Sequence, residues 1–147
     1  MKARYWLLLA SFLTMLDGVC YISIYFIQYL LLGYRVLPKT PLEAYRSTIV
    51  CLVYGGNGIV LLLVGFLGII FRENTRRIHF LMTMGILLFV TSFGSGMVNY
   101  LVLLWNSQPL SDAVKSVIAS LPAPIFFIHT TYLCQLEQEE LMKYEDL

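Results

Sequence analysis

The sequence predicts an all-α membrane protein with four transmembrane helices and both termini in the cytoplasm. Three observations carry that prediction. Of the 147 residues, 59% are hydrophobic and 13% are charged, about half the charged share of a soluble domain. The apolar residues gather into four runs, about 5–32, 47–71, 78–105 and 113–134, each long enough for the roughly 20 residues that cross a bilayer as a helix. The charges collect between those runs and in an acidic stretch at 136–147. This pattern reads as one transmembrane domain, 1–135, followed by a short acidic cytoplasmic tail.

The first run, Tyr5 to Leu32, holds one charge, Asp17, near its middle. Lys2 and Arg4 precede it as in a signal peptide. A signal core is about 7–15 residues long, and this run is longer, so a retained helix is expected. An acid at this depth costs roughly 2.5–3.5 kcal/mol on insertion scales. Around it lie Ser11, Thr14, Tyr21, Tyr25 and Gln28, which with Asp17 recur at steps of three and four. That spacing is one face of an α-helix, and a polar face points into protein. The stripe is longer than a small bundle needs, so its residues are expected to face a partner.

A loop from Gly33 to Arg46 follows, with Pro38 and Pro41, which end helices and mark aqueous segments. The second span carries Ser47, Cys51 and Gly55 at small-xxx-small spacing, which lets membrane helices approach closely. A charged turn, Arg72 to Arg77, leads to the third span, where Gly85, Ser92, Gly96 and Asn99 share one helical face. In the fourth, Leu121-Pro122-Ala123-Pro124 falls mid-span. Proline there removes a backbone hydrogen bond and kinks or breaks the helix.

Orientation follows from lysine and arginine in the flanks. Lys2, Arg4, Arg72, Arg76, Arg77 and Lys143 lie at one end, against Arg35, Lys39, Arg46 and Lys115 at the other. The dense 72–77 turn places its end, with both termini, in the cytoplasm. Tyr5, Trp6, Tyr34, Tyr45, Tyr100 and Trp105 fit aromatic belts at the two interfaces.

At ~1.5 Å per residue, Asp17, Asn57, Thr91 and Ser92 sit about 18–21 Å above the cytoplasmic ends of their spans. Ser120 and the proline break reach a similar height. Four helices thus bring polar atoms to one level. Three readings follow. The layer can be structural glue, with Asp17 hydrogen-bonded to Asn57 and the hydroxyls. It can line a small site for a proton, ion or polar ligand. Or Asp17 can meet a basic residue on a separate membrane protein, since no arginine or lysine lies deep within a span.

Other chemistry is unsupported. A net charge of +1 gives no basic patch for nucleic acid. Cys20, Cys51 and Cys134 are scattered and form no Cys-x-x-Cys pair. His79 sits at an interface. His129 reads as hydrogen-bonded packing near the cytoplasmic end of span four, and neither histidine has a second metal ligand at suitable spacing. No cofactor is expected.

The tail holds two sorting-like patterns, Tyr144-Glu145-Asp146-Leu147 and Glu137 ahead of Leu141-Met142. Clathrin adaptors read such peptides in extended form, and the free carboxylate of Leu147 also suits a PDZ-type groove. The plain alternative is a solvated acidic helix end. Four spans, short loops and such a tail resemble the small lysosome-associated tetraspan proteins, without their proline-tyrosine tail motifs. Length, span count and Glu43-x-x-Arg46 resemble the membrane glutathione-transferase and leukotriene-synthase group. That resemblance implies a trimeric enzyme with arginines in spans two and three, and this chain has none between Ile78 and Leu104.

The expectation is therefore a non-enzymatic tetraspan protein in an endomembrane or the plasma membrane, with the endolysosomal system implied by the tail. It would act as an accessory or adaptor subunit of a larger membrane protein, with a role in trafficking. Its expected partners are the bilayer, that larger protein and cytoplasmic sorting adaptors. The alternative is a small carrier or channel-like protein using Asp17.

Overall fold

The computed structural model describes residues 2–27, 41–74, 77–105 and 109–145. They form five helices: α1 (Lys2–Phe26), α2 (Pro41–Phe71), α3 (Ile78–Trp105), α4 (Leu110–Ala119) and α5 (Pro122–Glu145). Four stretches are long and apolar enough to cross a membrane: Lys2–Ile24, Leu52–Phe71, Ile78–Trp105 and Leu110–Lys143. The chain is an integral multi-pass membrane protein with an all-helical fold among its described residues.

The third span falls where the sequence put it, and the others differ in instructive ways. α2 begins at Pro41, not after Arg46. A proline at the first helical position gives up an N–H that has no intrahelical acceptor there, and its fixed φ suits the helix. The fourth span is two helices. Ser120 ends α4, with its N–H donating to the Val117 carbonyl at 3.2 Å. Pro122 then opens α5 by the same first-position rule. α5 runs to Glu145, so residues 136–145 continue the helix of the last span.

Packing makes a ring. α1 packs on α2 and α5, and α3 packs on α2, α4 and α5, so α1 and α3 lie on a diagonal. The half of the ring nearest the chain's start is filled by Leu7, Leu61, Val64, Ile78, Leu81, Leu88, Phe127 and Cys134. Trp6 meets Phe126 edge-on at 6.4 Å between centroids. At that end Asn74 N–H donates to the Phe71 carbonyl at 3.0 Å, and the Arg77 guanidinium covers the Phe71 ring at 4.6 Å.

The closest approach joins α1 to α2. A Cβ on Gly18 would stand 2.8 Å from the Gly58 carbonyl oxygen and 2.9 Å from the Leu62 nitrogen. One on Gly65 would stand 2.6 Å from the Ser11 carbonyl oxygen. Only glycine admits such backbone contact, which is the main source of helix affinity where lipid removes the hydrophobic drive. The small residues used on α2 are thus Gly58, Gly65 and Gly68. Gly55 of the 47/51/55 series is only half-buried, and the side chains of Ser47 and Cys51 lie outside the described set. On α3 the shared face holds: Gly85 faces Phe127 and Ile128 of α5, and Gly96 faces Val117 and Ser120.

Gly18→Leu should overpack this contact and cost roughly 1–3 kcal/mol. Gly56→Ala, where an added Cβ meets nothing within 4 Å, should be neutral or stabilising by up to ~1 kcal/mol. Thermal unfolding in detergent, followed by circular dichroism, should rank Gly18→Leu below the wild type and Gly56→Ala at or above it. A Gly18→Leu transition equal to the wild type would contradict the α1–α2 backbone contact.

Candidate functional site

The polar residues of the four spans do not form one shared network. Hydroxyls in a helix can satisfy themselves on the preceding turn, and most here do. Ser11 donates to the Leu7 carbonyl at 2.7 Å and Thr14 to the Ala10 carbonyl at 2.8 Å. Thr91 donates to the Leu88 carbonyl at 3.0 Å and Ser120 to the Val117 carbonyl at 2.7 Å. The one bond between predicted layer residues is Ser92 Oγ to Asn57 Oδ1, at 3.2 Å across α3 and α2.

Asn57 is 4% exposed, and its Nδ2 is buried without a hydrogen-bond partner. Asp17 is half-buried, and among the described residues it makes no hydrogen bond or ion pair. The expected Asp17–Asn57 bond is therefore absent, and Ser92 takes its place.

The first-span stripe needs a larger correction. Ser11 and Thr14 are fully buried, Ser11 against the Gly65 and Gly68 positions of α2. The Tyr21 Cβ lies against Gly58, and its ring lies 5.7 Å from that of Tyr54. All three face the protein's own bundle, and Ser11 and Thr14, fully buried, cannot serve an outside partner. The side chain of Tyr25 and all of Gln28 lie outside the described residues. Ile22, Gly18 and Ser11, at steps of four and seven, carry α1 onto α2. Asp17 stands off that line, with exposed Leu13, Cys20 and Ile24 on one side and buried Thr14 and half-buried Tyr21 on the other.

Two residues of the interior were missed. Ser95 is buried and donates to the Ser92 carbonyl at 2.8 Å. Tyr21 reaches toward Ser95 across the diagonal of the ring. The Tyr54 ring meets that of Tyr21 at a tilt of 31°. Both were legible in principle, Ser95 lying three positions after Ser92 and Tyr54 three before Asn57, each on its partner's face.

The surroundings of Asp17 follow from the break in span four. α5 packs on α1 as well as α3, whereas α4 packs on α3, and among the described residues no comparable contact joins α4 to α1. Pro124 has no N–H for the Ser120 carbonyl, its α-helical acceptor. Among the described residues α5 thus packs on α1 while α4 scarcely touches it, and the break leaves the Ser120 carbonyl without its usual helical donor. Irregular backbone at membrane depth is tolerated where protein or a cavity meets it.

Among the described residues no group of three or more His, Cys, Asp or Glu is placed to hold a metal. His79 and His129 are both exposed, so His129 is not packed as expected. Cys20 is exposed and Cys134 buried, both as free thiols. On α5, Leu141 and Met142 are exposed on helical backbone. Leu147 and the side chain of Tyr144 lie outside the described residues. Comparison with protein-family models, with curated proteins and with solved structures found no match to this chain.

A double-mutant cycle tests the core of the site. Hydrogen bonds between membrane helices average about 0.6 kcal/mol and reach about 1.7. Asn57→Ala and Ser92→Ala should couple within that range in detergent unfolding, whereas Asp17→Ala and Asn57→Ala should be additive. Strong coupling of Asp17 to Asn57 would restore the internal-glue reading.

Proposed function

We propose that this chain is a non-enzymatic tetraspan subunit that docks sideways, within the bilayer, onto a larger membrane protein. The carrying observation is Asp17, half-buried in an apolar span and unpaired among the described residues. A charge in hydrocarbon requires a partner or a route to water, and among the described residues no lysine or arginine pairs with Asp17; Lys115 of α4 pairs with Asp112 at 3.0 Å. α4 scarcely touches α1 among the described residues, and the partner helix would meet α1 on that side. Leu13, Cys20 and Ile24 supply apolar contact around the acid, and the partner contributes a lysine or arginine opposite it. The contact thus uses the shoulder of α1 and not the stripe that the spacing first suggested.

Both termini are placed in the cytoplasm on the arginine density of the 72–77 turn. A role in trafficking rests on Leu141 and Met142, which are exposed near the end of α5. Adaptors take extended peptides, so this part of α5 has to unwind to be read.

A second reading, a small carrier using Asp17, draws on the unpartnered Asn57 Nδ2. It meets an obstacle in the apolar core, which closes the ring on the side of the termini. Flux in liposomes that Asp17→Asn abolishes would favour it.

The docking reading predicts that a photo-crosslinker at Ile24 or Leu13 captures a neighbour that one at Ser11 does not. Asp17→Asn should weaken that complex at least about tenfold, equivalent to about 1.4 kcal/mol, with insertion unchanged. The captured protein should carry a basic residue within a transmembrane segment. Capture that is indifferent to Asp17→Asn would sink the proposal. For topology, cysteines at Asn74 and Ser111 should label from opposite faces, Asn74 from the cytoplasm. Labelling of both from one face would exclude four spans.

A further inference from the structure

A second polar feature lies at the other end of α1. Arg4 and Tyr5, in the first turn of α1, and Arg72 and Glu73, at the end of α2, line a cavity of about 220 Å³. Along α1 it stands ~20 Å from Asp17, so it is a separate feature. Among its lining residues two arginines stand against one acid. Arg72 donates to Glu73 Oε1 at 3.2 Å, but the Glu73 side chain is 71% exposed, and such a pair is screened and weak. Arg4 is half-buried and makes no hydrogen bond or ion pair with a described side chain. Lys2 is exposed close by. The first N–H groups of α1 have no intrahelical acceptor.

The position of the cavity narrows the ligand. Tyr5 is 73% and Trp6 52% exposed, and such aromatics mark the headgroup level of a bilayer. Below Tyr5, exposed Leu9, Phe12 and Leu16 continue one helical face into the apolar span. We propose that the cavity binds the phosphate of an anionic lipid headgroup. The Arg4 and Arg72 guanidiniums grip the phosphate oxygens as planar forks. The acyl chain lies along Leu9, Phe12 and Leu16. Glu73 competes with the phosphate for Arg72 and weakens the site. A free phosphate offers the same oxygens but has nothing to lay along that apolar face.

The test uses the purified full chain, stripped of lipid in detergent and then offered phosphatidylcholine and phosphatidylinositol phosphate in equal amounts. Native mass spectrometry counts the lipid retained. The wild type should retain the anionic lipid preferentially. Each basic contact to anionic lipid is worth roughly fivefold, so Arg4→Gln with Arg72→Gln should reduce retention at least about tenfold, with the helical spectrum unchanged. Glu73→Gln should raise retention, a gain that no folding defect would produce. Equal retention of both lipids, or no change in the double variant, overturns the site. Displacement of the lipid by an equal concentration of inorganic phosphate overturns the lipid assignment in favour of free phosphate.

Discussion

The backbone contact between α1 and α2 sets the phase of everything else. Gly18 lies against Gly58, and Ser11 lies against Gly65, seven residues away on each helix. Residues seven apart on a helix differ by about two turns, so this pair defines a straight line of contact. Once that line is fixed, the direction of each other residue on α1 is fixed too. Asp17 precedes Gly18 by one residue, about 100° around the axis. The acid therefore cannot share the α2 interface with Ser11 and Gly18 and is delivered to the shoulder of the helix. A bulkier residue at Gly18 would separate the helices and could let α1 rotate. The glycine pair thus governs where the charge points as well as how tightly the helices pack.

The break at Ser120–Leu121 is the second determinant. Pro122 and Pro124 remove two donors from the middle of a span, and the chain responds by ending one helix and starting another. α4 then follows α3, where Gly96 accepts Ser120 and Val117 at close range. α5 instead spreads between α1 and α3. Proline in the fourth span and the acid in the first are thus parts of one arrangement, although about a hundred residues separate them in sequence.

The fold was largely legible from composition, because hydrocarbon imposes length and apolarity on any spanning helix. Periodicity also found the α3 face with Gly85, Ser92 and Gly96. It could not say which neighbour each polar face would meet. Ser11 and Thr14 looked like groups in search of a partner, yet a helical hydroxyl carries its acceptor on its own preceding turn. The stripe thus marked burial and not binding. Asp17 has no such recourse, since an ionised carboxylate only accepts hydrogen bonds and helix N–H groups are already used. Depth estimates brought Asp17 and Asn57 to one level, but level is only one coordinate, and the rotation set by Gly18 keeps the two apart in angle. Pro41 misled for a related reason. Proline stops a helix that precedes it and starts one that follows, and sequence order alone does not choose between them.

The two ends of α1 carry opposite charges that cannot answer one another. Arg4 and Asp17 are ~20 Å apart along the axis. At an effective dielectric of about 20, two unit charges at that distance attract by only about 0.8 kcal/mol, less than an acid costs at membrane depth. Side-chain movement cannot close the gap, because Leu7 and the core of the ring stand between them. Each charge must therefore be balanced by something that approaches from its own level of the bilayer. At the headgroup level the available counter-charge is a phosphate. At mid-depth lipid offers none, which is why the proposed partner there is a protein with a cation in a transmembrane segment. On these two proposals the same helix meets lipid phosphate at its start and protein along its middle.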